Sequence, residues 1–121
     1  MAHILVMDDQ ESMRKIISQM LQDNGYEVTT AVNGQEGLIL FKKHPGEFDL
    51  VLADVNMPYL DGFQFLKTVK KDHPDQLIIF LTSMEEDVVE TIGKEYKVDG
   101  IIEKPFDQEA TLETIKQILN K

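Results

Sequence analysis

Cysteine is absent from this 121-residue chain, and basic side chains are scarce, 12 against 22 acidic ones. Without cysteine there can be no disulfide, thiolate zinc site or thiol catalysis, and the composition is compatible with a reducing cytosol. A formal charge of −10 with no basic cluster gives a field that repels nucleic acid phosphates and anionic lipid, which argues against direct nucleic acid binding. No apolar run is long enough to span a bilayer. Met1-Ala2-His3 leads straight into a short apolar run, with neither a charged n-region nor a long h-region. A cytoplasmic, unsecreted protein without membrane insertion is expected. Repeats, linkers and low-complexity segments are missing too, and the length is that of one domain, expected to occupy residues 1–121.

What the chain does have is four short apolar runs that each end on a residue able to handle phosphate or a hard metal ion. Ile4-Leu5-Val6-Met7 ends on Asp8-Asp9, Leu50-Val51-Leu52-Ala53 on Asp54, Leu77-Ile78-Ile79-Phe80-Leu81 on Thr82, and Gly100-Ile101-Ile102-Glu103 on Lys104. If these runs are parallel strands of one sheet, their carboxyl ends lie along the edge where open α/β sheets place ligands.

The segments between them have helical spacing. Met13, Ile16, Ile17, Met20 and Leu21 form one inward stripe, and Asn24-Gly25 supplies a left-handed stop. Val28-Thr29-Thr30-Ala31 reads as a strand, and Asn33 with Glu36 reads as a helix cap for a segment running to about Lys43, stopped by His44-Pro45-Gly46. Met57 to Gly62 is loop material. Phe63, Leu66 and Val69 then line a helix ending near His73-Pro74, Glu85 to about Tyr96 carries Val88, Val89 and Ile92, and Asp107 caps a last helix with Leu112, Ile115, Ile118 and Leu119 inward. Strand and helix alternate five times. The expected fold is α/β, a doubly wound parallel sheet with helices on both faces.

Like charges about 4 Å apart repel by about 4 kcal/mol at an effective dielectric of ~20, so three convergent aspartates need a cation. Mg²⁺ suits hard oxygen ligands and commonly bridges carboxylates to a phosphoryl group. A carboxylate can then act as a nucleophile toward phosphorus, with an ammonium and a hydroxyl neutralising the equatorial oxygens. Each piece alone has an ordinary reading: Asp54 as a helix cap, Thr82-Ser83 as a helix start, Lys104 as a surface lysine. Their joint placement at four strand ends is what points to chemistry. His3, His44 and His73 share no ligand spacing, which argues against a histidine metal site.

With these motifs the chain resembles the receiver domain of two-component response regulators, of the single-domain CheY-like kind. The match covers essentially the whole length and rests on Asp8-Asp9, Asp54-Val55-Asn56-Met57-Pro58 with Asp61-Gly62, Leu81-Thr82-Ser83, and Gly100 to Phe106. The resemblance implies a five-stranded sheet in order 2-1-3-4-5 with five helices. It implies that Asp54 accepts a phosphoryl group from a sensor histidine kinase or phosphotransfer protein. Asp9, Asp54 and the backbone carbonyl of Asn56 would ligate Mg²⁺, with Asp8 acting through a water. Thr82 and Lys104 would bond phosphoryl oxygens, and Lys104-Pro105 would be a cis bond. Kinase recognition would fall on the first helix, with Glu11, Arg14 and Lys15 near its start. A downstream protein would meet the surface of the fourth helix, fifth strand and fifth helix. By this reading the chain is no enzyme beyond catalysing its own phosphoryl transfer and dephosphorylation.

Two positions qualify the resemblance. Ile101 occupies the place where many receivers carry an aromatic ring that swings inward, so an aromatic switch is not expected. Met84, two residues after Thr82, is expected either to shield the phosphoryl group from water or to pack at a helix start. Two other functions compete with a signalling module: a small Mg²⁺-dependent phosphohydrolase using an aspartyl nucleophile, and a phosphorylation-independent binding platform. Asn56 in place of a second aspartate weighs against the first, and the full set of acidic and lysine positions weighs against the second.

Overall fold

The computed structural model describes residues 2–83, 91, 94, 95, 97–104 and 107–120. Within them lie β1 (His3–Met7), α1 (Glu11–Asp23), β2 (Glu27–Ala31), α2 (Gly34–Lys43), β3 (Leu50–Asp54), α3 (Gly62–Asp72), β4 (Ile78–Thr82), β5 (Gly100–Glu103) and the C-terminal helix α4 (Gln108–Leu119). All five strands are parallel, in the order β2-β1-β3-β4-β5 that the resemblance implies. Four helices are thus delimited among the described residues, and α4 is the fifth of the sequence reading. The expected helix from Glu85 to about Tyr96 lies mostly outside the described residues, though Thr91, Lys94 and Glu95 are helical.

Side chains alternate across a strand, so each central strand feeds two cores. Leu5, Met7, Val51, Ala53, Ile78 and Phe80 face Phe41 of α2 and Phe65, Leu66 and Val69 of α3. Ile4, Val6, Leu50, Leu52, Ile79 and Leu81 face Ile17, Met20 and Leu21 of α1 and Ile115 and Ile118 of α4. That is why β3 and β4 are buried at every position, and β1 at all but its first. Edge strands β2 and β5 keep exposed residues, Glu27, Thr30 and Glu103 among them.

Local signals in the sequence set most boundaries. Gly25, at φ +87°, follows α1 in the left-handed region that glycine adopts without strain. The Asn33 side chain accepts from the Glu36 N–H at 2.8 Å, and Asp107 accepts from the Ala110 N–H at 3.3 Å. One expectation needs correction: Ile16 is 48% exposed. Ile17, Met20 and Leu21 carry the inward face, and at 100° per residue Ile16 falls at the margin of that stripe.

Candidate functional site

Register places the site. Met7 lies beside Ala53, and Asp54 beside Leu81, so Asp8 and Asp54 leave adjacent strands side by side. Thr82 lies beside Glu103, and the Lys104 N–H then donates to the Thr82 carbonyl at 2.7 Å. One carboxylate oxygen from each of Asp8, Asp9 and Asp54 lies within 4.8 Å of the others. The Lys104 Nζ donates to Asp8 Oδ2 at 3.1 Å and to Asp54 Oδ2 at 3.0 Å. The structure therefore brings together Asp8, Asp9, Asp54 and Lys104, and sets Thr82 on the neighbouring strand end.

The three acids differ in surroundings. Asp8 is fully buried, and every polar atom it has is engaged: its N–H donates to the Ala31 carbonyl, its own carbonyl accepts from Arg14, Oδ1 accepts from the Gln10 N–H and Oδ2 from Lys104. Asp54 is 6% exposed, and its Oδ1 accepts from the Asn56 N–H at 3.0 Å, which fixes the rotation of the carboxylate. Asp9 and Asn56 are exposed. Asp8 is the fully buried member of the cluster, Asp54 its recessed member and Asp9 its open rim.

Burial pushes the Asp54 carboxyl above the usual carboxylate range, and the bonds from Lys104 and Asn56 only partly offset this. Burial works against the charged form of Lys104 as well. There the bonds to Asp54 and Asp8 outweigh it and hold the ammonium above its ordinary pKa. The asymmetry has a simple cause: Lys104 gains from two carboxylates, whereas Asp54 has one bond from the ammonium and also faces the Asp8 charge. An added divalent cation would supply the missing charge, and three hard carboxylate donors this close suit Mg²⁺.

Some expected features lie elsewhere. Met84 and Pro105, with the Lys104-Pro105 bond, fall outside the described residues. Ile101 is half-buried against the core cluster that contains Phe80. The three histidines gather at the far end of the sheet, His3 and His44 with ring centroids 4.7 and 6.5 Å from that of Phe48, and His73 at 5.2 Å from Phe41. They are packing partners of phenylalanines there.

Three features of the site were not assigned to it from sequence. Asp61 caps α3 in a reciprocal box with Gln64, which locks the end of the loop that follows Asp54. Its signal, an Asp three residues before a Gln at a helix start, was present. Arg14 bonds the Asp8 carbonyl, and Tyr59 sits at φ +70° in the loop, 85% exposed. Neither has a local sequence signature.

An open parallel sheet whose strand ends converge on three carboxylates and an ammonium defines a doubly wound α/β protein with an acidic, lysine-bridged site. The family model described as "Response regulator receiver domain" matches residues 4–116, and the chain belongs to that family, whose members are signalling modules of two-component systems. Among curated relatives, "Probable transcriptional regulator ycf27" of Porphyra purpurea is 40% identical over 119 residues, 98% of this chain and 47% of that protein. "Sensor kinase CckA" of Brucella abortus is 34% identical over 121 residues, 99% of this chain and 13% of that protein. The chain thus spans about half the length, or less, of the curated relatives it matches. Among solved structures, chemotaxis protein CheY4 of Vibrio cholerae superposes with a TM-score of 0.88 at 38% identity, covering 98% of both chains. A receiver domain from hybrid histidine kinase CckA gives 0.81 at 30% identity, covering 98% of this chain and 99% of that one. Among the described residues, no helix is long and apolar enough to cross a membrane.

Proposed function

We propose that residues 1–121 act as one phosphoacceptor module, in which Asp54 takes a phosphoryl group from a phosphohistidine of a sensor kinase or phosphotransfer protein in the presence of Mg²⁺. The observation that carries the proposal is the Lys104 ammonium held between Asp8 and Asp54 beside a third carboxylate, Asp9. Asp8, Asp9, Asp54 and the Asn56 carbonyl would hold the cation, Asp8 through a water. When bound, Mg²⁺ neutralises the carboxylates and offers coordination positions to phosphoryl oxygens.

The chain's own groups do the rest. The Asn56 N–H holds Oδ1 of Asp54, which leaves Oδ2 to attack phosphorus while the bond from phosphorus to the donor imidazole nitrogen breaks. Lys104 leaves Asp54 Oδ2 and pairs with a phosphoryl oxygen, and the Thr82 hydroxyl donates to another. This exchange of partners by Lys104 and Thr82 carries the phosphorylated state to a downstream protein at the surface of β5, α4 and the segment preceding β5. Family membership supports this reading over a phosphohydrolase or a binding platform.

The test is incubation with phosphoramidate and MgCl₂ followed by intact mass measurement. A single added phosphoryl group, labile in base and lost in Asp54→Ala, is expected. No added mass would favour a binding platform, and turnover of assorted phosphate esters would favour an enzyme.

A further inference from the structure

Arg14 is the only arginine in a chain that has eleven lysines, and it stands where an arginine is electrostatically unwelcome, near the N-terminus of α1. Its side chain turns back across that helix start, and Nη1 donates to the backbone carbonyl of Asp8 at 2.8 Å. That carbonyl lies just past the end of β1, where the ladder with β3 stops at Met7 and Ala53. The guanidinium therefore satisfies an acceptor at the point where strand becomes acidic turn.

The same turn is held from its other side. The Gln10 N–H donates to Asp8 Oδ1 at 2.9 Å, and the Arg14 N–H donates to the Gln10 carbonyl at 3.0 Å. Asp8, Gln10 and Arg14 thus close a ring of hydrogen bonds with Asp9 between its first two members. Among the described residues, Asp9 makes no hydrogen bond that would set its position. Its backbone is placed by the neighbours that hold the turn. A lysine would supply charge to this place but not the planar fork of donors that reaches a carbonyl in a fixed direction.

We infer that Arg14 is a positioning residue for the divalent cation site, fixing the Asp8-Asp9 turn through the Asp8 carbonyl. The inference rests on the reading of Asp8, Asp9 and Asp54 as a Mg²⁺ site. Two effects of Arg14 oppose each other, because its positive charge repels the cation while its hydrogen bond organises the ligands. Outer partners that orient metal ligands change affinity by about 10–100-fold, and the orienting effect dominates here.

The deciding experiment is a MgCl₂ titration of the phosphate-free protein, followed by amide NMR shifts, for wild type, Arg14→Met and Arg14→Lys. Arg14→Met keeps the aliphatic stem and removes donor and charge, and it is expected to weaken Mg²⁺ binding about tenfold. Arg14→Lys is expected to fall between the two. Urea unfolding of each variant separates affinity from stability, because a purely structural role would lower the unfolding midpoint and leave the affinity of folded molecules unchanged. If Arg14→Met binds Mg²⁺ within twofold of wild type, or more tightly because charge dominates, the inference is overturned. Should Arg14→Met fail to fold, Arg14→Lys carries the test, and wild-type affinity in that variant overturns it. A wild type with no saturable shift removes the cation reading itself, an outcome distinct from the failure of Arg14 alone.

Discussion

Gly62 lies so close to Asp54 that a β-carbon at Gly62 would stand 2.7 Å from the Asp54 carbonyl oxygen and 3.0 Å from Val55 Cα. The Gly62 N–H also donates to the Val55 carbonyl at 3.1 Å, so the start of α3 is pinned against the end of β3. Both close neighbours are backbone and cannot rotate away. Gly62→Ala must therefore move the helix start, at a cost of about 1–3 kcal/mol. Urea unfolding is expected to show this loss together with slower phosphorylation by phosphoramidate, because the loop carrying Asn56 is anchored between the same two elements. Wild-type stability in Gly62→Ala would show that the contact relaxes freely.

Removing Lys104 leaves Asp8 and Asp54 buried without their shared ammonium. Breaking a buried ion pair by deleting one partner costs up to about 3–5 kcal/mol, and the remaining exposure of Lys104 places the expected loss toward or below the lower figure. Lys104→Ala is thus expected to be destabilised without divalent cation and to regain more stability from MgCl₂ than wild type does, since no ammonium competes for the same oxygens. Thermal melts with and without MgCl₂ check this, and equal shifts in the two proteins would refute it. The variant is further expected to accept phosphate at Asp54 while leaving partner affinity unchanged by phosphorylation.

Asp54→Asn should do the opposite in the cation-free protein. Burial makes the ionised carboxylate costly, and an amide oxygen can still accept from the Asn56 N–H while the ammonium stays with Asp8. A gain of about 0.5–2 kcal/mol is expected, the size of an ordinary stabilising substitution. MgCl₂, which should stabilise the wild type, is expected to do little for Asp54→Asn, and the phosphorylated mass should be absent. A lower unfolding midpoint in Asp54→Asn would mean that the carboxylate stabilises the fold.

The sheet and its polar edge were legible because four apolar runs of strand length each stop on a side chain that has no place in a core. Strand order adds only the lateral neighbours. Helix faces were legible at their centres, as with Ile17, Met20 and Leu21, and less so at the margin, where Ile16 proved exposed. Arg14 was visible as a charged residue on α1, but its bond to the Asp8 carbonyl depends on how the chain turns after β1, which no residue pattern encodes. The backbone at Tyr59 was hidden for the converse reason: intrinsic preference assigns positive φ to glycine and asparagine, and here surrounding contacts override it.

The Leu60 N–H donates to the Pro58 carbonyl at 2.8 Å across Tyr59, a γ-turn whose central residue has φ +70°. This form of the turn is rare and strained, the more so for a bulky residue. Its neighbour is held on both sides, because the Leu60 carbonyl accepts from the Gly34 N–H of α2 at 3.1 Å and the capped start of α3 follows at Asp61. The Tyr59 ring, 85% exposed, returns little packing energy for the strain. Tyr59→Gly relieves about 1–2 kcal/mol of backbone strain and gives back about 0.4–1 kcal/mol through the freer unfolded chain. A small net gain in stability is therefore expected in urea unfolding, whereas Tyr59→Ala keeps the strain, loses only the exposed ring and should leave stability nearly unchanged. If Tyr59→Gly is the less stable of the two, the ring contributes contacts that offset the turn's strain.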